Sequence, residues 1–247
     1  MSKALSPAFS VIIPLSRNDQ SWRSLCSCLL LLPENCEVIF IRPQRLAKNE
    51  QGFLSLLKKH ISVLWLTGRQ HRGSQMNLGA KYASKPFLWF LHGDSRFGPD
   101  AVSGLQKSLV RQPGSLHYFD LQFLNDGPAL VCLNQWMANF RSQGLGVPFG
   151  DQGFCLSKDM FNRLGTFDTR CRYGEDHLLV WAARCLGVPL QPVGVSLQTS
   201  ARKYKKNGWM KTTAGHFVKT WTQALPWYVK ERRARFSELF SMPSGSP

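Results

Sequence analysis

The chain has 247 residues, of which 43% are hydrophobic, enough for one large α/β domain or two small ones. This composition is not that of disordered or fibrous proteins. Its net charge of +16, from 31 Lys and Arg against 15 Asp and Glu, favours anionic partners: nucleic acid, acidic membranes or phosphorylated ligands. A solvated basic surface would give the same balance, so charge alone does not choose the partner.

The first half of the chain alternates short apolar runs with amphipathic segments. The predicted strands are 9–14, 37–41, 61–66 and 87–91. The predicted helices are 21–32, 53–59, 75–83 and 99–110. Continuous apolar strands alternating with helices predict a mostly parallel sheet covered on both faces. The loops that follow the strands then meet at one edge, where ligands bind in such sheets.

The second half is less regular. The predicted strands are 116–123, a short extended segment at 153–156, and 193–199. The predicted helices are 131–141, 175–186 and 211–240, the last interrupted by Pro226. No linker separates the halves, so we predict one domain over residues 1–241 and a loose tail at 242–247. Residues 9–110 would form a nucleotide half and residues 111–241 an acceptor half.

The cysteines and the apolar runs bear on location. The number of cysteines is odd, at 7, and no secretory leader precedes them, which argues against a disulfide framework. No apolar run reaches the roughly 18 residues that span a bilayer. We therefore expect a cytoplasmic protein with reduced thiols.

A polar turn follows the fourth predicted strand. A carboxylate there, at Asp94, can hold Mn²⁺ or Mg²⁺ and leave coordination positions for diphosphate oxygens. His92 is a candidate second ligand, and Ser95 lies beside it. A turn aspartate that caps the following chain would give the same pattern.

Two basic segments are candidates for holding phosphates, because the dinucleotide-binding and P-loop glycine motifs are both missing. Residues 68–73 contain Arg69 and lead to Gln75 and Asn77 at a helix start, which suits a pyrophosphate or nucleoside. Residues 199–208 contain Arg202 and resemble a lid over a diphosphate. An ordinary solvated basic loop would explain the composition of either segment equally well.

Two acidic segments are candidates for acid–base chemistry. Asp151 lies between glycines, which allow the backbone to approach a ligand closely. Glu175 and Asp176 begin a helix, and either could take a proton from an acceptor hydroxyl. Acids favoured by the helix dipole are the alternative explanation of this pair.

Taken in order, five segments resemble the motifs of family 2 glycosyltransferases, and in particular the bacterial branch described as radical-SAM/selenodomain-associated transferases. They are residues 10–14, 68–80, 91–95, 150–153 and 174–176. The late segment 199–202 also looks like that branch, and the resemblance covers roughly residues 9–213.

The resemblance implies a GT-A, Rossmann-like fold, a nucleotide-sugar donor, a divalent metal and inversion at the anomeric carbon. It puts Pro14 and Asn18 near the base, and Arg69, Gln75 and Asn77 along the nucleotide. Asp94 would take the place of the last acid of the family's D-x-D, and Asp176 that of the general base. Residues 150–153 would form the floor of the acceptor site.

The sequence departs from the family pattern in three places. His92 stands where D-x-D families have their first Asp. Residues 42–45 lack the Asp and Gly usual after the second strand. Trp181 and Ala182 stand where many relatives carry Arg, so Arg202, Lys203 or Lys205 would have to contact the phosphates.

Two other function classes remain open from sequence. Nucleotidyl transfer would use a related fold and release pyrophosphate. A non-enzymatic basic module would bind nucleic acid or an anionic membrane with a steep salt dependence, but would leave the paired acids unexplained. We rank transfer to an acceptor hydroxyl first and expect no nucleic-acid partner. Peripheral contact with an anionic membrane, through Trp209, Trp221, Trp227 and nearby cations, is compatible with it. Packing of these Trp side chains between the helix and the domain is the favoured explanation of their presence.

Overall fold

The computed structural model describes residues 6–171, 174–202 and 204. Within them, seven strands form one sheet in the order β3-β2-β1-β4-β6-β5-β7, and β6 alone runs antiparallel to its neighbours. The strands are β1 Phe9–Pro14, β2 Glu37–Arg42, β3 Ser62–Thr67, β4 Phe87–Phe90, β5 Leu116–Phe123, β6 Cys155–Ser157 and β7 Leu190–Thr199. Both predicted halves contribute strands to this sheet, which confirms the single, mostly parallel α/β architecture.

Helices cover both faces of the sheet, as the strand pattern predicts. They are α1 Trp22–Leu29, α2 Gln51–Lys58, α3 Arg72–Tyr82, α4 Pro99–Arg111, α5 Val131–Gly144, α6 Lys158–Arg163 and α7 Glu175–Cys185. Alternate residues of β1 point to opposite faces: Val11 packs in the core with α1, α2 and α4, whereas Ile12 packs in the core with α3, α6 and α7. Burial on both faces explains why the central strands are continuously apolar.

Several helix boundaries differ from the predictions. Helix α1 ends at Leu29, not at 32, and the Ser21 hydroxyl bonds Asp19 instead of capping the helix. Helix α3 begins at Arg72, three residues before the predicted start, because the Nδ1 atom of His71 accepts the Ser74 N–H at 3.2 Å. Helix α6 was not predicted, and α5 continues to Gly144. The predicted helix 211–240 and the tail 242–247 lie outside the described residues.

The topology brings the ends of several elements to one edge. Strands β1, β2 and β4 are parallel, so their carboxyl ends are adjacent. Because β6 is antiparallel to β4, the 3₁₀ turn Gly150–Gln152 just before it reaches the same edge. Strands β5 and β7 also end at this edge, because β5 is antiparallel to β6 and β7 is parallel to β5. This edge therefore collects the polar loops of both halves.

The buried His117 predicts a pH dependence of stability. Its ring, on β5, bonds Ser108 and the Gln112 carbonyl, and burial lowers its pKa from 6.5 to about 4. Between these two pH values, His117 therefore binds a proton in the unfolded chain but not in the folded chain. We expect the free energy of unfolding to fall by at most about 3 kcal/mol as pH drops from 6.5 to 4. Denaturant titrations against His117→Gln check this, and an equal loss in the variant would contradict it.

Candidate active site

Arg72 forms the centre of a charged cluster at the carboxyl edge of the sheet. As the first residue of α3, it donates from Nε to Glu175 Oε1 at 2.5 Å and contacts Asp176 Oδ1 from Nη2 at 3.1 Å. Its Nη1 donates to Nε2 of His92 at 3.0 Å. A guanidinium group has no acceptor atoms, so this His92 nitrogen accepts the hydrogen bond. One cation thereby joins the start of α7 to the turn after β4.

Asp176 is held in its charged form. Burial pushes the pKa of its carboxyl up, but Arg72, the Gly150 N–H and the His177 N–H together bring it below the usual value. The Gly150 N–H donates to Oδ2 at 2.7 Å, and a Cβ at position 150 would lie only 2.6 Å from that oxygen. A glycine there is therefore required for the close approach of the backbone to Asp176.

Glu175 has a different environment from its neighbour. Its side chain is only 3% exposed, and its carboxylate bonds Arg72. A carboxylate buried behind its arginine is placed to orient Arg72 rather than to meet a substrate. Of the two predicted acids, Asp176 has the more exposed side chain, at 13%.

Asp151 lies in the 3₁₀ turn beside Asp176. Its Oδ1 atom is buried without a hydrogen-bond partner. Burial raises the pKa of the Asp151 carboxyl; Arg141 and Arg72 oppose this rise, while Asp176 adds to it. Gln152 fixes the turn, since its side chain donates to the Phe119 carbonyl at 2.9 Å. The unbonded buried oxygen and the proximity to Asp176 make Asp151 a candidate residue of the site.

The turn after β4 presents Asp94. Ser95 closes the turn, because its hydroxyl accepts the His92 N–H at 3.2 Å and its own N–H donates to the His92 carbonyl at 3.1 Å. Ser95 is buried and shapes the turn. Burial and the nearby Asp19 carboxylate raise the pKa of Asp94, whereas Arg202 and Arg96 lower it. The turn thus offers one carboxylate between acidic and basic neighbours.

A polar cleft of about 570 Å³ lies beside this turn. Its lining includes Asn18, Asp19, Arg96, Asp126, Ser200 and Arg202. Arg202 donates from Nε to Ser200 at 2.9 Å and lies 3.7 Å from Asp126. The cleft therefore joins the loop after β1 to the segment after β7, and two predicted donor-binding residues, Asn18 and Arg202, line it together.

The other predicted donor-binding residues are placed less favourably. Pro14 is buried in β1, and Arg69 is exposed in the loop after β3. The Gln75 amide donates to the Leu15 carbonyl at 3.0 Å, so it braces the loop after β1. Asn77 bonds both the carbonyl and the N–H of Phe167, at 2.8 and 3.0 Å, and faces away from the polar cleft. We therefore leave Asn77 out of the donor site proposed below.

The loop after β2 has a role that sequence did not indicate. Arg42 is buried, donating to the Arg17 carbonyl at 2.6 Å and to both carboxylate oxygens of Glu50 at 2.9 and 3.0 Å. Burial alone would raise the pKa of Glu50, but Arg42 and the Ala47 N–H bring it below its usual value. Arg42, paired with Glu50, holds the loop that carries Asn18 through the Arg17 carbonyl.

Four residues of the site were missed as individual candidates. Arg72 lies in the basic segment 68–73 and Asp19 follows the candidate Asn18, but nothing in their spacing distinguished them from neighbouring polar residues. Arg141 lies on α5 with its guanidinium carbon 3.4 Å from the centre of the Phe149 ring, and it interacts electrostatically with Asp151. Tyr204 interacts with the same Asp151. Arg141 reaches the site through tertiary packing, a signal that sequence does not carry.

The residues present are compatible with a divalent cation held jointly with a diphosphate. Asp94 supplies one carboxylate, with Asp19 close enough to raise its pKa, and magnesium needs few protein ligands when phosphates complete the shell. The described residues contain no group of three or more His, Cys, Asp or Glu side chains that could hold a metal alone. In this arrangement the Nε2 atom of His92 accepts a hydrogen bond from Arg72.

Comparisons with known proteins give the fold. No protein-family model and no curated protein matches the chain. Among solved structures, Staphylococcus aureus TarS superposes with a TM-score of 0.64 at 13% identity, over 78% of this chain and 36% of TarS. TarS 1-349 in complex with UDP-GlcNAc gives 0.63 at 14% identity, over 78% of this chain and 58% of that one. The complex with UDP gives 0.62 at 10% identity.

These similarities establish a GT-A, Rossmann-like fold for the chain. The chain spans about a third of TarS and about 60% of its 1-349 fragment. None of the helices described here has the length and apolarity needed to cross a membrane.

Proposed function

We propose that the chain transfers a sugar from a nucleoside diphosphate sugar to an acceptor hydroxyl, with inversion at the anomeric carbon. The observation that carries this proposal is the Asp176 carboxylate, which contacts Arg72 and the Gly150 N–H at the carboxyl edge of the sheet. The fold similarity to TarS in complex with UDP-GlcNAc supports a nucleotide sugar as donor. On the order of its motifs we also propose membership of the bacterial family 2 branch.

Asp176 would act as the general base. Its carboxylate would take the proton of the acceptor hydroxyl as that oxygen attacks the anomeric carbon, and the bond from this carbon to the diphosphate would break. A single displacement of this kind inverts the anomeric configuration. Arg72 would keep Asp176 ionised, and Glu175 would hold Arg72 in place. Asp151 would adjust the charge around the base, because it interacts electrostatically with Asp176 and Arg72.

The nucleoside diphosphate would lie along the polar cleft. Asn18 and Arg202 line it, and Arg202 would offset the charge of the leaving diphosphate. Mn²⁺ or Mg²⁺ held by Asp94 would supply further neutralisation of that charge. Arg69, exposed beyond β3, would contact the nucleotide from the other side.

A thermal-shift panel tests the donor proposal. We expect one of UDP, GDP, CDP and dTDP, with Mn²⁺, to raise the Tm by several degrees at about one hundred times its Kd. The matched pair Asp94→Asn and Asp100→Asn separates the site from a general charge effect, since Asp100 is an exposed acid in the first turn of α4. Only Asp94→Asn should remove the metal-dependent part of the shift.

The products distinguish the reaction classes. Release of a nucleoside diphosphate from the corresponding sugar donor supports glycosyl transfer, whereas release of pyrophosphate would establish nucleotidyl transfer. No shift with any nucleotide, together with salt-sensitive binding to nucleic acid, would replace the proposal with a basic binding module.

A further inference from the structure

Helix α5 is attached to the sheet by its polar face. Strand β5 pairs with β6 only at His117, so among the described residues the backbone of its second half has no strand partner on that side. Side-chain amides of α5 take that place: Asn139 bonds the N–H and carbonyl of Leu121 at 2.7 and 3.0 Å, and Gln135 accepts the Phe123 N–H at 3.0 Å. These bonds satisfy buried backbone groups and turn the opposite face of the helix outward.

That outward face is apolar. Leu133, Trp136, Met137 and Phe140 have helical spacing of three, four and seven residues and are 46%, 63%, 41% and 57% exposed. Leu130, just before the helix, extends this apolar stripe. The Trp136 and Phe140 rings stack with centroids 5.6 Å apart. Residues 131–140 contain no charged side chain. Contiguous exposed side chains of this size mark an interaction surface.

The net charge of the chain indicates which kind of partner binds the apolar stripe. The chain carries +16, which opposes packing of two copies against each other and favours an anionic surface. Tyr204 bonds the side chain of Asn134 on α5. The sequence beyond it, residues 205–247, contains eight Lys and Arg and two Glu. The positive net charge of the chain and the apolar stripe of α5 together suit the interface of an anionic membrane.

We infer that the apolar stripe of α5 inserts into the interface of an anionic lipid bilayer. The same helix reaches the candidate active site from its other side, through Arg141 over the Phe149 ring and beside Asp151. Docking on α5 would set the site close to the membrane surface. The inference does not depend on the proposed transferase activity, because lipid binding needs no nucleotide sugar.

Vesicle co-sedimentation of the full chain tests this inference. The probe is phosphatidylcholine vesicles with about 30 mol% phosphatidylglycerol, against pure phosphatidylcholine. The combined variant Leu133→Ser, Trp136→Ser, Phe140→Ser keeps the net charge. Its matched control is Leu56→Ser, Val110→Ser, Leu186→Ser, three residues that are 55%, 69% and 56% exposed on other helices or their ends. We expect the α5 variant to lose at least about ten-fold in partition coefficient and the control to bind like wild type.

Each other outcome overturns the inference. Three results would each exclude α5 as the lipid contact. They are a wild type that does not bind the anionic vesicles, an α5 variant that binds as well as the wild type does, and an equal loss of binding in both variants. A wild-type dimer that the α5 variant dissociates, without vesicle binding, would make a second copy the occupant. If the triple variant does not fold, Trp136→Gln alone, at a mostly exposed position, should still lower the partition coefficient measurably.

Discussion

Replacing Asp176 with Asn is expected to lower kcat by roughly 10²–10⁴-fold while nucleotide binding changes little. The amide keeps the size of the side chain but cannot take the proton of an acceptor hydroxyl. Steady-state kinetics with the donor identified by thermal shift gives kcat, and titration of the nucleoside diphosphate gives Kd. The matched control is Asp168→Asn, which removes a carboxylate paired with Arg170 outside the polar cleft. Unchanged turnover in Asp176→Asn would disprove the base assignment.

A second variant moves the Asp176 carboxylate instead of removing it. In Gly150→Ala the new Cβ would lie 2.6 Å from Asp176 Oδ2, so the carboxylate must shift. Gly150 has no positive φ, so the backbone itself accepts alanine. Gly114→Ala is the control, since its Cβ would meet nothing within 4 Å. We expect only the Gly150 variant to lose turnover, with a Tm close to that of wild type.

Replacing Arg72 with Gln is expected to affect both stability and the pH dependence of activity. Glu175, 3% exposed, would lose its cation; because Arg72 itself is 36% exposed, we expect a loss of about 2 kcal/mol rather than the larger cost of a fully buried pair. Arg72 is the strongest of the groups that lower the pKa of Asp176. Without it that pKa rises, so the acid limb of kcat/KM should move to higher pH.

Rate profiles that extend well below pH 3.8 measure the limb, and denaturant titration measures the stability. Asp176 has a lowered pKa in the folded protein, so the stability it contributes is present above the unfolded value of about 3.8 and is lost as pH falls below that. The control Arg170→Gln breaks the exposed ion pair with Asp168 and should leave the acid limb unchanged. An acid limb at the same pH in Arg72→Gln would show that Arg72 does not set the ionisation of the base.

The sequence was most informative where the position of a residue type follows a single local rule of secondary structure. Continuous apolar runs such as that of β1 identified the strands, because both faces of a parallel sheet are buried. Pro99 was expected in the first turn of α4 and lies there. The start of α3 was placed too late, because its cap is a histidine ring nitrogen and not one of the usual oxygen caps.

The candidate site was only partly predictable. Asp94, Asp151 and Asp176 could be named in advance, since acids after strands or at helix starts are recognisable in sequence. The functions of Gln75 and Asn77 in the fold could not, because an amide side chain serves a ligand or a backbone carbonyl equally well. Their contacts with Leu15 and Phe167 depend on segments 60 and 90 residues away.

The sequence by itself determined the α/β class, the order of strands and helices, and the edge of the sheet at which the acids gather. Hydrophobic periodicity and turn chemistry are local properties, and they sufficed for this. Only the tertiary structure decided that Arg72 joins Glu175, Asp176 and His92, and that α5 faces outward with its apolar side. Such pairings depend on which polar groups, distant in sequence, still need a hydrogen-bond partner when the chain is packed. This is a property of the folded chain and not of any single segment.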